Sequence, residues 1–103
     1  MLSISIENRP TDIVVRFDGH AGRSGNDDVC SMASVVFYTA INWLSQSNYL
    51  LGYNDSSCGH SRWLRAQKGE KPEAVLEAMM VGLQMLSEAY PQNVQVTRKV
   101  EAI

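Results

Sequence analysis

The sequence predicts an α+β domain, a two-layer sandwich in which a mainly antiparallel sheet carries two helices in the order ββαββαβ. Three observations predict it. Short stretches rich in β-branched and aromatic residues repeat with a period of two, while two longer stretches repeat apolar residues at three- and four-residue steps. The connections inside each strand pair are short enough only for antiparallel neighbours. Each helical stretch carries one apolar stripe, which places both helices on the sheet. A length of 103 residues with 45% apolar and 19% charged side chains fits one domain, residues 1–103, whose core needs no disulfide or metal to form.

At the start, Leu2, Ile4 and Ile6 alternate with Ser3, Ser5 and Glu7, a strand with one buried face. Asn8-Arg9-Pro10-Thr11 supplies a turn, and residues 12–18 form a second strand with Ile13, Val15 and Phe17 on one side, completing a hairpin. From Gly19 to Asp28 the periodicity gives way to Gly, Ser, Asn and Asp, loop chemistry that ends in residues suited to capping a helix, with Asp27 or Asp28 as the cap. Val29, Met32, Ala33, Val36, Phe37, Ala40, Trp43 and Leu44 then mark a helix over residues 28–46. Residues 49–53 form a strand, Asn54-Asp55-Ser56-Ser57 a turn, and residues 61–67 a further strand around Trp63 and Leu64. Pro72 suits the first position of a second helix, with Val75, Met79, Gly82, Leu83, Leu86 and Tyr90 on its buried face and Pro91 beyond its end. Val94, Val96 and Val100 propose a last strand to about residue 101.

Nine Lys and Arg against eleven Asp and Glu leave a net charge of −2, too near balance for a protein whose main task is neutralising phosphates, so no direct nucleic-acid role is expected. No apolar run reaches the roughly 20 residues a membrane helix requires. The opening segment reads as a strand rather than a signal peptide, which points to a cytoplasmic, membrane-free protein. In that reducing compartment Cys30 and Cys58 are expected as thiols and not as a bridge.

A cysteine in the first turn of a helix sits among outward-pointing backbone N–H groups and at the positive end of the helix dipole, and both favour a thiolate. Cys30 occupies that place. His20 opens the polar loop leading into the helix and supplies a base, while Gly19, Gly22 and Gly25 permit tight turns and close approach of a peptide backbone. The plainer reading is a small apolar Cys30 on a helix and a surface His20. Asp27 and Asp28 are assigned to capping and not to catalysis.

Gly19-His20-Ala21, followed by Gly25, Asp27, Val29-Cys30 and Ser34, resembles the signature of the ribosomal-processing cysteine protease family, Prp. The resemblance extends through Met80-Val81-Gly82-Leu83 and Tyr90-Pro91 to the final valine-rich segment, and so covers essentially the whole chain. It implies a cysteine endopeptidase with Cys30 as nucleophile and His20 as base, flanked by Gly19, Ala21 and Ser34. It further implies cleavage of an N-terminal extension from the twenty-seventh protein of the bacterial large ribosomal subunit, after a hydrophobic and aromatic segment, in the service of ribosome assembly. A homodimer and the absence of any metal or organic cofactor belong to the same expectation. Two departures stand out: the stretch from His20 to Cys30 is slightly shorter than the family pattern, and Ser31-Met32 replaces small residues. A shortened loop leaves open a second role, that of a non-catalytic dimeric binding module associated with the ribosome.

Other signals carry less. Cys58 and His60 with His20 and Cys30 make up a zinc-compatible ligand set, but not at zinc-finger spacing. Arg62, Arg65, Lys68 and Lys71 read either as a basic patch for ribosomal RNA or as a solvated strand and loop. Met32, Met79, Met80 and Met85 read as core filler ahead of an adaptable peptide pocket, and Trp43 and Trp63 likewise. Ser34, one turn beyond Cys30, either faces the site or bonds back to a helix carbonyl.

Overall fold

The computed structural model describes residues 1–19, 27–55 and 61–100. Its elements follow the expected order: β1 (Leu2–Asn8), β2 (Asp12–Gly19), α1 (Asp27–Gln46), β3 (Leu50–Asp55), β4 (Ser61–Gln67), α2 (Glu70–Ala89) and β5 (Val94–Val100). The strands form one five-stranded sheet in the order β3-β4-β2-β1-β5. Three neighbouring pairs are antiparallel, and β1 with β5 is parallel, so the sheet is mixed.

Alternation along the strands decides which face is buried. Leu2 and Ile4 of β1, Ile13, Val15 and Phe17 of β2, and Leu64 and Ala66 of β4 point into one core. The helices cover it with Val29, Ala33, Phe37, Ala40, Ile41 and Leu44 from α1, and Leu76, Met79, Met80 and Leu83 from α2. Phe17 and Phe37 meet edge to face with ring centroids 4.9 Å apart, which ties β2 to the middle of α1.

Several boundaries and faces differ from the sequence expectation. The α1 stripe is rotated, with Ile41 inside and Met32 exposed. Asp27 and Asp28 lie within the first turn of α1 and do not precede it. There, the acidic Asp28 complements the positive helix end. Strand β3 runs through Asn54 and Asp55, which were expected as a turn, and its bulge between Leu50 and Gly52 suits an edge strand. Helix α2 begins two residues before Pro72, at Glu70, where Glu73 Oε2 accepts the Gly69 N–H at 2.9 Å. Its buried face is Pro72, Leu76, Met79, Met80 and Leu83, leaving Gly82 and Tyr90 exposed.

The β1–β2 turn is clamped by charge. Asp12, itself buried, accepts two hydrogen bonds from Arg9, at 2.7 and 2.6 Å, and meets Arg65 Nε of β4 at 2.9 Å. The Arg9 hydrogen bonds, reinforced by the charges of Arg9 and Arg65, hold the Asp12 carboxyl below its ordinary range against the opposing effect of burial. Lys68 of the loop before α2 donates to Asn8 at the end of β1.

Candidate active site

Cys30 is the fourth residue of α1. The helix starts there because Val29, Ala33 and Phe37 recur on one side and dock on the sheet, which fixes the direction in which the first turn projects. Cys30 is half-buried and packs against the core cluster. It belongs to the turn whose N–H groups point away from the helix's own carbonyls, a setting that favours negative charge on an adjacent atom.

Gly19 ends β2. Its φ of +88° is a conformation side chains rarely adopt, and a Cβ built there would lie 2.5 Å from the Met1 carbonyl oxygen. Glycine is therefore required where the chain leaves the sheet, immediately before His20. His20, Ala21, Cys58 and His60 lie outside the described residues, as do the zinc set and the bridge question that depend on them. Among the described residues no cluster of His, Cys, Asp and Glu could hold a metal ion.

Ser34 lies one turn after Cys30, and neither sequence reading anticipated its partner. Its Oγ accepts a hydrogen bond from Arg62 Nη1 at 2.9 Å. Arg62, expected in a solvated or RNA-facing stretch, is buried instead, with its guanidinium carbon 5.3 Å from the ring centroids of both Phe17 and Phe37. The clue was in the alternation, since Arg62 shares parity with the buried Leu64 and Ala66. Arg65 is drawn off to Asp12, and Lys68 to Asn8 and Glu73, so the four basic residues do not form one patch.

Beside this turn an apolar groove of about 610 Å³ runs between the helices, lined on the α1 side by Ser31, Met32 and Val35 and on the α2 side by Met85, Leu86 and Tyr90. Met79 and Met80 are core filler, as expected, whereas Met32 and Met85 are exposed along the groove.

A half-buried cysteine in the opening turn of a helix, on a small α+β sandwich with a helix-side groove, has the makings of a thiol-dependent peptidase, and similarity agrees with that class. The family described as "Cysteine protease Prp" matches residues 1–95, and the chain belongs to it. The chain is 31% identical over 105 residues to the ribosomal processing cysteine protease Prp of Staphylococcus aureus, covering 95% of each, with the same figures for two strains. The crystal structure of the S. aureus protease with a covalently linked product peptide superposes with a TM-score of 0.79 at 27% identity, covering 96% of this chain and all of that one. A second structure of that protease, with a substrate peptide, gives the same TM-score at 26% identity. The Streptococcus mutans protein SMU.848, 22% identical with a TM-score of 0.74, shares the fold. The protein is thus a cysteine protease, and the non-catalytic binding module gives way.

Proposed function

We propose that the protein is a ribosomal-protein processing endopeptidase in which Cys30 is the nucleophile and His20 the general base. The observation that carries this reading is the placement of Cys30 in the first turn of α1, half-buried against the core, in a chain similar from end to end to a processing protease. His20 follows directly on the C-terminal end of β2, and that strand end packs on the middle of α1 through Phe17 and Phe37. The base takes the Cys30 proton, and the sulfur attacks the scissile carbonyl. Backbone N–H groups of the helix start stabilise the oxyanion, the amine leaves with a proton from His20, and water releases the acyl-enzyme. Gly19 and Ala21 flank the base in the sequence, and Ser34 supports the nucleophile's turn.

The proposed substrate is the N-terminal extension of the twenty-seventh large-subunit ribosomal protein, cut after its hydrophobic and aromatic segment, in the cytoplasm and without metal, cofactor or direct nucleic-acid contact. Consistent with a non-membrane setting, no helix among the described residues is long and apolar enough to cross a bilayer. The enzyme works as a homodimer through the outer face of the helix pair, where Val35 and Met85 are each 65% exposed and Val81 is 51% exposed.

Mass spectrometry of the extended ribosomal protein after incubation with wild type, Cys30→Ala and His20→Ala tests the reading. A single cut by wild type alone is expected. An uncut substrate with folded wild type, or cleavage surviving in Cys30→Ala, would overturn it.

A further inference from the structure

Arg62 is a cation in an unusual place. It is 7% exposed, faces two phenylalanine rings, and donates to one neutral hydroxyl, that of Ser34. Its Nε is buried with no hydrogen-bond partner, and no carboxylate among the described residues forms an ion pair with it. A buried charge left uncompensated is costly, and replacing such a group by an apolar side chain of similar volume is commonly neutral or stabilising. Packing alone therefore does not account for an arginine here. Its field, paired with no carboxylate among the described residues, extends to whatever lies within a few ångströms.

What lies there on α1 is Ser34, one turn after Cys30. Ser34 follows Cys30 by four residues, about 6 Å along the helix axis, and side chains on a helix lean toward its N-terminus, so the Ser34 hydroxyl stands toward the turn of Cys30. Because Ser34 Oγ accepts from a guanidinium, its own O–H is polarised as a donor. We propose that Arg62 is a positioning residue for the nucleophile: it fixes the Ser34 hydroxyl against the Cys30 turn and, through that link and its buried charge, favours the negative charge that develops on the Cys30 sulfur. The proposal rests on the reading of Cys30 as nucleophile.

The test compares wild type with Arg62→Met, Arg62→Lys and Ser34→Ala by three readouts: melting temperature, the rate of Cys30 alkylation by iodoacetamide at fixed pH, located by peptide mapping, and kcat and KM on an extended substrate peptide. A lost interaction of about 1.4 kcal/mol corresponds to a tenfold fall in rate. The expected pattern is Arg62→Met slowed about tenfold with an unchanged or raised melting temperature. Arg62→Lys should recover part of the rate, and kcat should fall with KM nearly constant. Ser34→Ala should slow alkylation by severalfold, and it removes the link while leaving the apolar core residues in place, so it carries the comparison if Arg62→Met does not fold. Wild-type alkylation rates in folded Arg62→Met or in Ser34→Ala would overturn the proposal. So would a fall in rate that merely tracks lost stability. Alkylation needs no substrate, so a chain that fails to cut the peptide yet shows the Arg62 dependence refutes the substrate and leaves the positioning role standing.

Discussion

Replacing Gly19 by alanine probes the point where the sheet hands the chain to the proposed base. Gly19 holds φ +88°, and an added Cβ would lie 2.5 Å from the Met1 carbonyl oxygen, whereas carbon–oxygen contacts ordinarily settle near about 3.3–3.6 Å. The positive φ alone costs an L-residue about 1–2 kcal/mol. Relieving the overlap requires the β1–β2 pair to part by roughly 1 Å where Leu2 faces Gly19, at an overpacking cost of about 1–3 kcal/mol. Together these give about 3 kcal/mol, a fall in melting temperature of roughly 12–24 °C for a domain of this size. The displaced strand end also carries off His20, so cleavage of the extended substrate by the still-folded variant at low temperature should drop further than the folded fraction explains. Calorimetry and a cleavage assay at matched folded fraction provide the check. A melting temperature within about 3 °C of wild type would refute the steric argument, and full activity in the folded variant would refute the link to the base.

Two further outcomes are expected. Asp12 has its carboxyl held low by Arg9 and Arg65, so its contribution is fully present above about pH 4 and is lost as pH falls through the lower native value. The stability gap between wild type and Asp12→Asn in urea unfolding should thus narrow with acidification below about pH 4. A gap independent of pH would contradict the clamp. Val35→Asp changes an exposed side chain, so the melting temperature of the isolated chain should move by less than about 0.5 kcal/mol equivalent while self-association, followed by sedimentation, is abolished. A variant that still self-associates as wild type does would contradict the proposed interface, and a monomeric wild type would contradict the proposed dimer.

Much of the fold was legible because alternation and helical spacing act locally. Leu2, Ile4, Phe17 and Leu64 lie on the buried side that their period of two assigns, and Phe37 and Leu44 lie on the α1 stripe. The sheet order was not legible, since the parallel pairing of β1 with β5 joins residues from opposite ends of the chain and leaves no local mark. Helix α2 was misread in part because two of its faces are apolar. Leu76, Met80 and Leu83 meet the sheet, while Gly82 and Met85 face the groove, and spacing alone does not choose between them. Of the site, Cys30 could be read from its place at a helix start. The partnership of Arg62 with Ser34 crosses 28 positions and escaped notice, although strand parity already assigned Arg62 to the inner face.

The pairing of β1 with β5 also sets an order of events during synthesis. β1 is made before the other described strands, and its hydrogen-bonding edge from Leu2 to Asn8 is closed only by β5, after every other described element has emerged. Until then the growing chain presents a bare strand edge, with Leu2 and Ile4 behind it, that other nascent chains could pair with. A shortened translation product lacking residues 94–100 would retain Cys30 yet keep that edge open. Such a fragment belongs to the aggregation-prone pool, and the cell gains a peptidase only from chains that extend far enough to seal the sheet.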